Sequence, residues 1–156
     1  MGLGANLGDP AAQLHAALQA IAAIATTRIA RVSSFYRTAP VGYAGQPDFI
    51  NAVAALETRL GARMLLDALA GIEQRCGRTR SFPDAPRTLD LDLLLYGSEQ
   101  IDEPGLQVPH PRAHQRRFVL QPLVEIDPDC AIPGKGRAAV LLAGCSGQPV
   151  QRLAQA

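Results

Sequence analysis

Arg87-Thr88-Leu89-Asp90-Leu91-Asp92-Leu93-Leu94-Leu95-Tyr96 is the stretch from which the fold is read. Its alternation predicts a β-strand over residues 88–96, because successive strand side chains point to opposite faces. Leu89, Leu91, Leu93 and Leu95 share one face, which belongs in the core. Asp90 and Asp92 share the other, with Cα atoms about 6–7 Å apart.

Upstream of this strand, residues 78–87 (RTRSFPDAPR) are polar with two prolines and read as a loop. Residues 61–76 read as a helix with Met64, Leu65, Ala68, Leu69 and Ile72 as its apolar stripe, stopped by Gly77. Residues 49–60 read as a strand. Ile50, Ala52, Ala54 and Leu56 take one face; Phe49, Asn51, Val53 and Ala55 take the other. The Pro/Gly-rich stretch 38–48 is a loop long enough to suspect a function. Residues 28–36 (RIARVSSFY) read as a strand. Residues 10–25 read as a helix, with Asp9 as cap, Pro10 in the first position and Leu14, Leu18, Ile21 and Ala25 at helical spacing. The N-terminal glycines, GLGANLG, read as a turn before that cap.

Downstream, a proline-bearing connection over 103–111 leads to a helix near 113–126, which Pro122 should bend or restart. The tail is weakly patterned, with a short helix around 138–143 and a last strand near 150–153. The element order points to an α+β domain, with helices packed on a mainly antiparallel sheet.

The length of 156 residues fits one domain, and 47% hydrophobic against 19% charged residues excludes a disordered chain. No apolar run approaches the roughly 20 residues of a membrane span. A net charge of +1 gives no electrostatic footprint for duplex DNA. Cys76, Cys130 and Cys145 are odd in number and widely spaced, so neither a disulfide framework nor a CxxC metal site is expected. No signal peptide is visible, and the cytoplasm is the expected compartment.

Two carboxylates on one strand face repel each other unless cations neutralise them. Mg²⁺ shared with phosphate oxygens would do so. So would ordinary pairing of an exposed face with arginines. Arginines bracket the pair: Arg75, Arg78, Arg80 and Arg87 precede it, and Arg112, Arg116 and Arg117 follow it. Such an arrangement suits a polyphosphate, whose remaining oxygens need neutralising. The P-loop pattern is absent, and the GxGxxxG spacing of residues 2–8 is not the dinucleotide fingerprint. His110, in Val108-Pro109-His110-Pro111, sits in a rigid segment and can donate to a phosphate; His15 reads as a surface residue. Asn51 can read the edge of a heterocycle, and Phe49 and Phe118 are the scarce stacking rings, unless both belong to the core.

Together these residues resemble one family, the 6-hydroxymethyl-7,8-dihydropterin pyrophosphokinases of folate biosynthesis. The likeness runs from Gly2 to about Pro133. It rests on Gly4-Ala5-Asn6, SSFYRTxP (33–40), QPDFINA (46–52), GRxR (77–80), APRTLDLDLLLYG (85–97), VPHP (108–111) and RxFVLxPLxEI (116–126). The resemblance implies a ferredoxin-like α+β fold with extra C-terminal elements, usually monomeric. It also implies transfer of diphosphate from MgATP to the pterin hydroxymethyl group, with AMP released. By that likeness Asp90 and Asp92 bind two Mg²⁺ ions, and Arg78 and Arg87 assist binding and transfer. Arg80, His110 and Arg116 contact ATP, with main chain near Leu93 holding the adenine. Phe49 and Phe118 sandwich the pterin, and Thr38, Val41 and Asn51 meet its edge. The loops 38–48 and 81–86 act as lids.

Some positions depart from the family. Pro83-Asp84-Ala85 stands where many members carry a tryptophan, and Gly105 and Gln107 replace polar or basic residues used near ATP. The N-terminus is expected to stop short of most of the family's central first strand, through a misplaced start codon or trimming. Two other classes are weighed beside the enzyme: a non-catalytic module binding a nucleotide or single-stranded RNA, and a metal-dependent nucleotidyl transferase. The aspartates speak against the first, since without metal they repel a phosphate backbone.

Overall fold

The structure, a computed structural model, describes residues 1–42, 45–77 and 88–154. The described elements run β1 (Gly2–Ala5), α1 (Pro10–Ala22), β2 (Thr27–Val32), β3 (Tyr36–Thr38), β4 (Phe49–Thr58), α2 (Ala62–Arg75) and β5 (Asp90–Asp92). After them come β6 (Ile101–Glu103), β7 (Leu106–Val108), α3 (Arg117–Ile126), β8 (Ala131–Ile132), β9 (Gly136–Arg137), α4 (Ala138–Ala143) and β10 (Gln151–Arg152). The main sheet has the order β10-β3-β4-β1-β5, with β2 also paired to β4. Every recorded pairing in it is antiparallel. The fold is α+β, as expected.

The two faces of the sheet carry separate cores. Ile50, Ala52 and Ala54 of β4 point with Leu89, Leu91 and Leu93 toward Leu14 and Ile21 of α1 and Leu65, Leu69 and Ile72 of α2. Val53 and Leu94 point the other way, into Val119, Leu120 and Leu123 of α3. The period-two assignment of faces along 49–56 therefore holds.

Several boundaries differ from expectation. The strand at 2–5 is present, paired on both sides between β4 and β5, so Gly2 and Gly4 are strand residues rather than part of a turn. Asp9 caps α1, accepting from the Ala12 amide at 3.1 Å. The helix ends at Ala22 instead of 25, and the chain reverses through Thr26 at φ 56°. The strand expected over 28–36 is two strands, both laid along β4. Between them Ser33 replaces a backbone partner: its amide donates to Val53 O and its Oγ accepts from Val53 N, both at 2.9 Å. A side-chain hydroxyl standing in the ladder breaks the strand without losing a hydrogen bond.

On α2 Met64 is 62% exposed, and the buried stripe instead runs Ala62, Leu65, Leu69, Ile72, Glu73. The strand expected over 88–96 is confined to Asp90–Asp92; Asp92 pairs with Gly2, and past it Leu94 O accepts from the His110 amide. Leu95 packs with the α3 core, not with Leu89. The connection at 103–111 contains the β6–β7 hairpin, turning at Gly105 with φ 75°. The helix expected over 113–126 is a 3₁₀ turn (Ala113–Gln115) followed by α3. The break falls at Arg116, whose backbone is extended and whose carbonyl accepts from Val119 and Leu120. Pro122 lies inside α3. The α4 helix and β10 fall where expected. No helix among the described residues is long and apolar enough to cross a membrane.

Candidate active site

The register of the sheet lines up residues distant in sequence. Asp90 pairs with Gly4, Gly4 with Asn51, and Asn51 with Tyr36. Directly paired residues share a face, so these four form one row across β5, β1, β4 and β3. The neighbouring row is Asp92, Gly2 and Val53; on the other side Phe49 pairs with Thr38. The acidic pair, the Asn51 amide, the Phe49 ring and the Thr38 hydroxyl thus project from one face of four adjacent strands.

Glycine on β1 makes this row possible. A Cβ on Gly4 would stand 2.9 Å from Asn51 Oδ1. Asn51 is buried, and its Nδ2 donates to Thr38 Oγ1 at 2.9 Å. That bond fixes which way the amide points and leaves its oxygen over β1. Val41, on the loop that follows, is 73% exposed.

Leu93 and His110 meet Asp92 in a cleft of about 660 Å³, walled on its far side by the β6–β7 hairpin from Asp102 to Gln107. The hairpin acids are already paired, Glu103 with Arg63 at 3.2 Å and Asp102 with Gln107 at 3.3 Å. His110 Nδ1 accepts from the Arg112 amide at 3.1 Å. A neutral imidazole accepting at Nδ1 carries its proton on Nε2 and can donate there. Burial, then Arg116 and Arg112, push the His110 pKa below the usual imidazole value against the pull of Asp90. Arg116 stacks its guanidinium over Phe118, 5.4 Å from the ring centroid.

Asp90, Asp92, Leu93, His110, Arg116, Phe118, Thr38, Phe49 and Asn51 are all described, and the first four with Arg116 surround one end of β5. Arg78, Arg80 and Arg87 lie outside the described residues, as do 81–86 and Tyr43-Ala44 of the other loop. No cluster of three or more His, Cys, Asp or Glu among the described residues is grouped to hold a metal alone. A carboxylate pair still fits Mg²⁺, which takes one or two carboxylates and completes its shell with phosphates and water.

Glu73 drew no attention in the sequence, and Asn6 only as the end of the Gly4-Ala5-Asn6 motif, with no role attached. Glu73 is buried on α2 and accepts from the Leu91 amide at 2.6 Å, holding the outer edge of β5 between the two aspartates. Its signal was position, one residue after Ile72 and four after Leu69, inside the apolar stripe. Asn6, buried after β1, donates to Gln46 Oε1 at 2.7 Å and Pro47 O at 3.0 Å, tying down the end of the loop before Phe49.

The family model described as 7,8-dihydro-6-hydroxymethylpterin-pyrophosphokinase (HPPK) matches residues 1–128. The chain belongs to this family. A 2-amino-4-hydroxy-6-hydroxymethyldihydropteridine pyrophosphokinase of Pseudomonas aeruginosa is 46% identical, over 97% of this chain and 93% of its own length. One of Haemophilus influenzae is 49% identical, over 84% of this chain and 82% of its own. The folic acid synthesis protein fol1 of Schizosaccharomyces pombe is 38% identical over 85% of this chain, which spans 18% of that longer protein. The pyrophosphokinase match takes in the whole row from Asp90 to Tyr36 and ends before β8.

Proposed function

We propose that the chain transfers diphosphate from MgATP to the hydroxymethyl oxygen of 6-hydroxymethyl-7,8-dihydropterin, releasing AMP, a step of tetrahydrofolate biosynthesis. The observation that supports this reading is the Asp90–Gly4–Asn51 row, in which a carboxylate and a carboxamide share one face, separated by a residue with no side chain.

Asp90 and Asp92 would hold two Mg²⁺ ions, whose charge would offset that of the phosphate oxygens. Phe49 and Phe118 sandwich the pterin. Asn51, oriented by Thr38, bonds its edge, and Val41 lines it. His110 donates from Nε2 and Arg116 its guanidinium to ATP, with Arg80, while main chain near Leu93 holds the adenine. Arg78 and Arg87 assist transfer. The pterin hydroxyl oxygen forms a bond to the β-phosphorus and gives its proton to solvent, while the bond from the β-phosphorus to the α–β bridging oxygen breaks and AMP leaves with that oxygen and the electron pair. Positioning and charge neutralisation suffice, as in phosphoryl transfer generally, and no strong protein base is required.

The order β3-β4-β1-β5, with α1 and α2 on one face, supports a ferredoxin-like assignment carrying extra C-terminal elements. The chain acts as a single pyrophosphokinase domain, monomeric and cytoplasmic, with ATP and the pterin as its partners and no nucleic acid or membrane. Purified protein incubated with MgATP should form AMP only when hydroxymethyldihydropterin is present. ADP as the nucleotide product, or AMP formed without the pterin, would overturn this reading.

A further inference from the structure

One carboxylate joins β3 to α3. Glu125 Oε1 accepts from the Ser34 amide at 2.9 Å and from Ser34 Oγ at 2.7 Å, and Oε2 accepts from Tyr36 OH at 2.5 Å. Arg152 of β10 completes the cluster, donating from Nε to Ser34 Oγ at 2.9 Å, with a second guanidinium nitrogen 3.3 Å from Oε1. Ser34 and Tyr36 are 1% and 2% exposed, so their polar groups depend on this acceptor.

The two segments joined here carry different residues of the pterin site proposed above, Thr38 with its partner Asn51 on the sheet side and Phe118 on α3. Tyr36 pairs with Asn51, and Thr38, two residues on, accepts the Asn51 amide proton. At its other end α3 begins with Phe118 in the first turn. The apolar contact of Val119, Leu120 and Leu123 with Val53 already fastens α3 to the sheet. What the carboxylate adds to the β3–β4 ladder is a direct polar tie from α3 to β3, the strand on the opposite side of β4 and β1 from Asp90, Asp92 and the His110 cleft.

We propose that Glu125 is a positioning residue for the pterin: by holding Ser34 and Tyr36 it sets β3 against α3, and so sets the Thr38–Asn51 amide opposite Phe118. This rests on the reading of Thr38, Asn51 and Phe118 as the pterin site. Arg152 is the weaker member, because its side chain is 63% exposed and an exposed ion pair contributes little.

The test compares wild type with Tyr36→Phe, Glu125→Gln and the double variant, measuring kcat, both KM values, direct MgATP binding and Tm. Each single variant should raise the pterin KM about tenfold and leave the MgATP Kd within about twofold. The double variant should be no worse than the poorer single one, since both changes break the same contact. If Glu125→Gln fails to fold, Tyr36→Phe, which removes one oxygen, carries the test by itself. An unchanged pterin KM in Tyr36→Phe, or equal losses for both substrates that follow Tm, overturns the positioning role. A wild type that makes no AMP from the pterin overturns the functional reading and this inference with it.

Discussion

Gly4 on β1 and Asn51 on β4 face each other so closely that a methyl group on Gly4 would stand 2.9 Å from Asn51 Oδ1. Asn51 cannot yield freely, because its Nδ2 is bonded to Thr38 Oγ1. In Gly4→Ala the amide must therefore rotate off Thr38 or the strands must part. The expected result is a pterin KM raised at least about tenfold, about 1.4 kcal/mol, with MgATP binding retained. Equal loss of both substrates would place the damage in the strand pairing, away from the amide.

Glu73 is the acceptor for the Leu91 amide. Removing it leaves a buried donor without its partner. Glu73→Ala should lower stability by about 1–3 kcal/mol in urea unfolding, and Glu73→Gln, which keeps an acceptor oxygen, by less. If the two variants were equally unstable, the bond to Leu91 would not be the reason Glu73 matters to the fold.

His110 should titrate below 6.5 and remain neutral at pH 7, because burial and the nearby Arg116 and Arg112 disfavour its charged form. Nitrogen-detected NMR should find the proton on Nε2, given the Arg112 amide at Nδ1. Bound MgATP should move the midpoint upward, since phosphate favours the imidazolium. No movement with nucleotide would remove His110 from the phosphate contacts.

Tyr36 and Glu125 give opposite limbs to the pH dependence of stability. Burial and then the bond to Glu125 push the Tyr36 pKa from 10.0 up to about 12. A raised pKa contributes stability below pH 10 that is lost as pH rises from 10 to 12. Desolvation raises the Glu125 pKa, but the bonds from Tyr36 and Ser34 and the charge of Arg152 outweigh it, and the carboxyl ends below its usual 4.5. That contribution is present above pH 4.5 and is lost as pH falls through the native value. Urea midpoints of wild type and Tyr36→Phe should differ at pH 8 and converge by pH 12. A gap that stays constant across that range would contradict the coupling.

The parts of the fold legible in the sequence were those where one periodicity acted alone. Leucines at every second position placed Asp90 and Asp92 on one strand face, and the same period put Asn51 and Val53 opposite Ile50 and Ala52. Reading failed where a polar side chain did a backbone's work. Ser33 breaks a strand with its hydroxyl, and Glu73 occupies an apolar stripe because a strand edge needs an acceptor; Met64 lies off that stripe and is exposed. The β6–β7 hairpin was hidden because three-residue strands carry too little alternation to be seen. The row from Asp90 through Gly4 to Asn51 and Tyr36 depends on register between distant strands, which no local pattern encodes.

Phosphorus NMR of a single reaction mixture tests most directly whether the acidic face of β5 carries diphosphate transfer. Wild type with MgATP and hydroxymethyldihydropterin should convert the ATP resonances into those of AMP and a pterin diphosphate. Asp92→Asn, with its Tm unchanged, should leave them as ATP. Full conversion by folded Asp92→Asn, or ADP and a pterin monophosphate from wild type, would contradict it.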